Sequence, residues 1–382
     1  MMTQTLAILL DAYRELQSKK MFWVVLILNV LVIGVFAILG VNGNSLTVLW
    51  YQIGDTRRIG LEPTFVYKYA YSFFIVGLWF TWLATLLALI STAGIFPDFL
   101  SSGAVDLFLA KPISRLRLFF TKYLAGLLFV TCQVTLFTAL SFLVLGIRAG
   151  IWEAGLFFAI PIVVVFFSYL YAVCVFFGTL TRSTIAAFLL TLLAWFGFWL
   201  VDKADRTIAD IPMFVQLEQN DLTRQIKFTE AQIERESQSP GDDSATRLAA
   251  LQDERTRLIK QRDATITPQA VETAQRVLFG IKSVVPKTRD TIVLLDRVLF
   301  HDQDLQTLSK QGDEVAPETA PDSAPNNFSA SRRGRSGPDF STQSVQIQND
   351  RRHSVWWIIG TSLLFEAVCL ALAAWHFCTR DF

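Results

Sequence analysis

The sequence predicts an all-α membrane protein: six transmembrane helices with a large extracytoplasmic helical-hairpin insertion between the fifth and sixth. Three observations predict it. Charge-poor apolar runs occupy 21–41, 69–97, 123–147, 154–181, 183–201 and 354–379, each close to or above the roughly 20 residues that a helix needs to cross about 30 Å of hydrocarbon. The apolar share of the chain is 52%, with 32 Phe and 10 Trp. Between the fifth and sixth runs, the polar block 202–353 holds 24 of the 33 acids and 21 of the 34 basic residues.

That block is net −3 and the remainder net +4, so neither part carries the basic footprint that nucleic-acid binding requires. The four cysteines, Cys132, Cys174, Cys369 and Cys378, lie in or at the end of spans. They fit packing or lipid-facing roles, and suit neither a disulfide framework nor a CxxC metal site.

Residues 1–20 come first. Leu6, Leu9, Leu10, Tyr13 and Leu16 recur at helical spacing with Asp11, Arg14, Glu15 and Ser18 opposite, which predicts an amphipathic helix in the inner membrane interface. The first span starts too late, is too long and lacks a small-residue cleavage pattern, so it reads as a retained helix and not as a cleavable signal. With the N-terminus inside, the inner segments carry nine Lys and Arg (Arg14, Lys19, Lys20, Lys111, Arg115, Arg117, Lys122, Arg182, Arg380) and the short outer loops four (Arg57, Arg58, Lys68, Arg148). The bias orients both termini to the cytoplasm and the polar block outside, in a multi-pass protein of the inner or plasma membrane.

Residues 21–201 hold the first five spans, with an inner elbow at 96–122. Within the elbow, residues 103–110 can form a short helix, and Lys111-Pro112 ends it. Ser114 then caps the helix that becomes the third span, with Arg115, Arg117 and Lys122 at headgroup level.

Residues 202–309 form the outer helical block. Two charged helices, 214–236 and 244–266, carry thin apolar seams (Leu222, Ile226, Ile233; Leu248, Leu251, Leu258) and are joined by the breaker 237–243. They predict a coiled-coil-like hairpin over 214–266, a spacer or a platform for a partner outside the membrane. A third helix near 268–283 and the apolar stretch 291–300 return towards the bilayer. Residues 310–353, rich in Pro, Ser, Asp, Gly and Arg, read as a disordered linker before the last span and its short tail, 354–382.

Enzymatic chemistry finds no motif. His301, His353 and His376 lack metal-ligand spacing, and neither a nucleophile elbow nor a dinucleotide turn occurs. The one ionisable residue well inside a span is Glu366. A carboxyl there is costly in lipid, so it is the candidate pathway residue, lining the interior or pairing with a polar neighbour such as Thr191; a simple hydrogen bond to a Ser or Thr is the plain alternative.

The segment SGAVDLFLAKPISRLRLFFTKYLAGLL, from Ser102, resembles the loop of permease subunits of type-2 ABC exporters, nearest the nitrous-oxide-reductase maturation and gliding-motility types. The N-terminal AILLDAYRELQSKKMFWVVLIL resembles that family's interfacial helix and first span, and VVPKTRDTIVLL (284–295) its segment before the last span. Asp98 stands where many relatives carry Glu, and the long outer insertion is a departure. The resemblance implies a non-catalytic half-transporter, a homodimer or a pair with a related permease, driven by a separate ABC ATPase. It also implies an ATPase-coupling loop through Asp98, Gly103, Asp106, Lys111, Pro112 and Arg115. No GxxxxGK(S/T) phosphate loop occurs: Gly280-Ile-Lys-Ser283 has Gln275 where the first Gly belongs. ATP and Mg would then be held by the partner subunit, with no cofactor on this chain. A different class of reading is a non-transporting membrane scaffold whose hairpin organises partner proteins.

Overall fold

The computed structural model describes residues 20–42, 45–49, 51–55, 63–101, 114–150, 152–238, 244–264, 269–299 and 354–379. The interfacial helix expected within 1–20, the middle of the elbow at 102–113 (Gly103, Asp106, Lys111 and Pro112 included) and the 310–353 linker lie outside the described residues.

Among the described residues, six helical segments are long and apolar enough to cross a membrane: Lys20–Ile38, Tyr67–Leu100, Arg115–Ala149, Ala154–Thr181, Thr184–Ala209 and Val355–Thr379. The described residues are those of a helical membrane protein, with one small sheet among them. Two compact units divide it, residues 1–196 with 286–382, and residues 197–285.

In the first unit, α1 (Lys20–Ile38) is the first span. It runs directly into β1 (Leu39–Asn42), β2 (Ser45–Val48) and β3 (Tyr51–Asp55), an antiparallel meander in the order β1-β2-β3. The sequence reading assigned no strands here. Its missed signal is the Gly43-Asn44 pair between Asn42 and Ser45, which face each other in the register; a two-residue link with Gly suits a tight hairpin. At the end of the third span, the Arg148 guanidinium donates to the carbonyls of Ile38 (3.1 Å), Leu39 (3.3 Å) and Leu49 (2.9 Å), satisfying acceptors where helix gives way to strand.

The second span is assembled from α2 (Pro63–Tyr71), a π-helical stretch (Ser72–Ala84), α3 (Thr85–Thr92) and α4 (Ile95–Ser101). In the widened stretch the hydroxyls of Thr81 and Thr85 donate to carbonyls five residues back. The third span, α5 (Arg115–Ala149), is N-capped by Ser114, whose hydroxyl accepts from the Arg117 amide at 3.4 Å, and ends on Gly150 at φ 70. A 3-10 turn (Ala154–Phe158) leads into the fourth span, α6 (Ala159–Thr181).

Helix α6 is the centre of the unit. It is 61% buried along its apolar stretch, against 17% for the fifth span, so α6 has protein on most sides and the fifth span leaves most of its surface exposed. The last span, α11 (Val355–Thr379), packs along α6. Helix α10 (Thr288–Leu299) is strongly amphipathic, and it buries Ile292, Leu294 and Leu295 against α6 and the turn before it. At its start the buried Lys287 donates its backbone N–H to the Ser362 hydroxyl at 3.0 Å and its ammonium to Thr361, 4.0 Å from the Trp357 ring centroid.

The fifth span is the beginning of α7 (Thr184–Gln238), a continuous 55-residue helix about 80 Å long. The sequence reading separated a span at 183–201 from a helix at 214–236; here they are one element, with Pro212 inside it. Residues of α7 from 197 onward belong to the second unit with α8 (Ser244–Ala264) and α9 (Gln269–Val284). Ion pairs Arg255–Glu230 (2.7 Å) and Arg247–Glu236 (3.7 Å) join α8 to α7 in antiparallel register, over the buried Leu222 and Ile226. These pairs are largely exposed, so their role is register more than stability.

Pro212 lacks an N–H, which leaves the Ile208 carbonyl, four residues back, without its helical donor. The side-chain amide of Gln275 on α9 fills the gap at 3.3 Å. Lys282, near one end of α9, is 8% exposed and bonds Asp205 at 2.9 Å and Asp202 at 3.5 Å, while Arg206 holds Asp202 at 3.1 Å. Two acids and two bases thus neutralise one another where α9 lies on α7, as buried charges must.

Candidate functional site

Two places in the first unit bring polar chemistry together, one at the end of the bundle where the elbow starts and one near the middle of the spans. The first is the base of the elbow. Helix α4 is short and carries Pro97 in its first turn, where a missing N–H costs nothing. The Asp98 amide donates to the Gly94 carbonyl at 2.9 Å, and a β-carbon on Gly94 would lie 2.7 Å from the Asp98 carboxyl and would displace it. Thr184, the first residue of α7, donates its hydroxyl to Asp98 at 3.3 Å. Pro97 lies against Gly178 of α6, close enough that a β-carbon there would stand 3.3 Å from the ring.

The other side of the elbow is held as firmly. Arg115 reaches the carbonyl of Cys378 at 3.4 Å, near the end of α11. Phe119 packs between Phe96 (5.0 Å between ring centroids) and Phe377 (5.8 Å), tilted to both. Lys122, expected among headgroups, is instead 7% exposed with its ammonium 5.3 Å from the Phe99 ring centroid, a cation–π contact within the bundle. Of the six residues that the resemblance assigns to a coupling loop, the structure describes Asp98 and Arg115 and bonds them to the fifth and last spans respectively.

The mid-membrane place is built on Glu366, 9% exposed and near the middle of α11. Tyr123 on α5 donates its hydroxyl to Oε1 at 2.7 Å, and Ser168 on α6 bonds Oε2 at 2.7 Å. One side chain thereby links the third, fourth and last spans. Thr191, named from the sequence as a possible partner, is fully buried and turns its hydroxyl to the Ala187 carbonyl at 2.7 Å. Tyr123 is held flat against Tyr171, with centroids 5.1 Å apart and planes 9° from parallel, and Phe167 continues the stack at 5.5 Å. Gly126 makes room: a β-carbon there would stand 2.6 Å from the Tyr171 ring. The Tyr171 hydroxyl is buried with no hydrogen-bond partner among the described residues.

A second polar layer was not anticipated. Asn29 on α1 donates to Gln133 on α5 at 3.0 Å and accepts from the Trp79 indole at 3.1 Å, and Gln133 donates to the Phe22 carbonyl at 3.3 Å. All polar ends are paired, as polar groups inside hydrocarbon must be. The cavity beside this layer, lined by Val25, Phe80, Thr85 and Phe137 among others, measures about 30 Å³, room for a water or two and not for a solute. Among the described residues no group of three or more His, Cys, Asp or Glu could hold a metal.

Chemically, the mid-membrane cluster ties the third, fourth and last spans together. Comparison with protein families, characterised proteins and solved structures gives no match.

Proposed function

We propose that the chain is the membrane-spanning permease subunit of an ABC transporter, an exporter that works as a dimer with a separate ATPase. The ATPase holds ATP and Mg and docks under the elbow at 96–122, on the cytoplasmic side with both termini. The observation that carries the reading is the joining of the elbow's two ends to different spans. Asp98 is bonded to Thr184 of the fifth span, Pro97 lies on Gly178 of the fourth, and Arg115 reaches Cys378 of the last. A push on the elbow would therefore reach three spans at once, and Glu366 links two of them to the third span at mid-membrane. The KPISR step at 111–115 and the Lys at the head of the third span support the same reading.

The alternative, a membrane scaffold whose extracytoplasmic hairpin organises partners, draws support from the second unit, which has its own buried residues and ion pairs. Affinity isolation of the full chain in mild detergent, with identification of the bound subunits, separates the two. Co-isolation of an ATPase whose binding or stimulated hydrolysis falls in Asp106→Ala and Arg115→Ala supports the permease. Wild-type levels of both in the two variants would refute the coupling role.

A further inference from the structure

We propose that α9 is an interfacial membrane helix: its outward face is embedded in lipid at the headgroup–acyl boundary, beside the end of the fifth span. The argument begins with the side of α9 that meets α7. On that side Gln275 caps the Ile208 carbonyl and Lys282 is sunk between Asp202 and Asp205. On a helix turning about 100° per residue, Gln275 and Lys282 share one face, and Val277, Ile281 and Val284 fall on the face turned away. Those three are 57%, 43% and 70% exposed.

The helix is amphipathic; Gln275 and Lys282 are turned in and paired, while Val277, Ile281 and Val284 are turned out, with Thr273 and Arg276 exposed beside them. Three exposed aliphatic side chains on one face run against the rule for a helix in water, which turns its apolar stripe to the core. The neighbouring pair follows the water rule: Leu222 and Ile226 of α7 are 5% and 6% exposed, while its ion pairs with α8 lie outside. One unit therefore contains both polarities, and the switch between them lies along α7, between the stretch facing α9 and the stretch facing α8.

Position names the occupant. Gln275 beside Ile208 and Lys282 beside Asp202 and Asp205 set α9 antiparallel to α7, so Ile281 and Val284 lie alongside the turn that holds Leu200. Leu200 is 54% exposed and belongs to the candidate span Thr184–Ala209. The apolar face of α9 thus continues a lipid-facing surface at the level where the span's charges begin. Arg276, exposed at the edge of that face, stands where a lipid phosphate would be met. Lipid requires apolar side chains outside and polar groups paired inside, which is what α9 presents.

The test places a nitroxide at 277, 281 or 284 of the full chain, with its four cysteines replaced, in phosphatidylethanolamine–phosphatidylglycerol vesicles. Labels at Leu200 and at exposed Arg257 on α8 serve as lipid and water references. The expected result is high accessibility to oxygen and low accessibility to a water-soluble nickel chelate, as at 200. Access to the chelate as at 257 overturns the proposal. So does protection from both, which would mean that protein, such as a second copy of the chain, covers the face. If the cysteine-free chain does not fold, p-benzoylphenylalanine at 277 or 281 in the native background decides the matter: lipid adducts support the proposal, while protein adducts or none refute it.

Discussion

Replacing Glu366 by Leu and by Gln should separate two kinds of loss. Leu removes the acceptor of two hydroxyls. Neither is fully stranded, because Tyr123 also faces the Ser168 carbonyl at 3.3 Å and Ser168 the Val165 carbonyl at 2.8 Å. Interhelical hydrogen bonds in membranes average about 0.6 kcal/mol and reach about 1.7, so losing two should cost about 1–3 kcal/mol. Gln is different. Its amide oxygen can accept from Tyr123, and its NH₂ can donate to Ser168 Oγ, whose own proton then goes to the Val165 carbonyl. Every group stays satisfied, and the cost should stay under about 1 kcal/mol. Adding Tyr123→Phe to the Leu variant should cost less than the sum of the two single changes, since both delete one bond. Unfolding midpoints in mixed micelles measure wild type, the three single variants and the double variant, and under the proposed function ATPase turnover of the reconstituted complex should rank wild type, Gln, then Leu. Leu at or above wild type in midpoint and turnover would place the carboxyl against lipid and refute the reasoning. Gln falling as far as Leu would refute the donor assignment.

Three further outcomes are expected. Gly126→Ala drives a β-carbon into the Tyr171 ring and should lower stability by about 1–3 kcal/mol, as overpacking does, read as a drop in melting temperature of the detergent-solubilised chain. Gln275→Ala should cost about 1 kcal/mol in the native chain and close to nothing in a Pro212→Ala background, because alanine in place of the proline brings back the helical N–H for Ile208; equal costs in both backgrounds, measured by amide hydrogen exchange in α9, would dismiss the proline-patch reading. Cysteines at Ser239 and Ser323 should react with a membrane-impermeant thiol reagent in intact cells, while one at Ser102 should not; the reverse pattern would invert the topology and move the docking site.

The spans were legible because each is a long, nearly uncharged run, a signal that needs no tertiary information. Glu366 was legible for the same reason, as an acid against an apolar background. Its partners were not. Tyr123 and Ser168 lie 243 and 198 residues away, and a single hydroxyl in an apolar run looks the same whether it bonds its own helix, as Thr191 does, or a neighbouring one. Asn29 and Gln133 escaped notice for a related reason: an amide is cheap enough in a span that it signals nothing until its partner is seen. The 39–55 sheet was hidden by its own apolarity, since the start of β1 reads as a continuation of the first span and only Gly43-Asn44 interrupts it.

Helix α7 carries the argument furthest, because two local signals there point the wrong way. The charges from Asp202 onward suggest that the helix ends with the span, and Pro212 suggests a break. Neither ends it, since the costs are met from outside: Lys282 neutralises Asp202 and Asp205, and Gln275 supplies the donor that Pro212 lacks. Both compensating residues belong to α9, 67 and 77 positions beyond the groups they bond, so α9 and the unbroken α7 depend on each other and neither could be read from its own window. The same dependence explains why α9 turns Gln275 and Lys282 inward, and that orientation in turn leaves Val277, Ile281 and Val284 exposed.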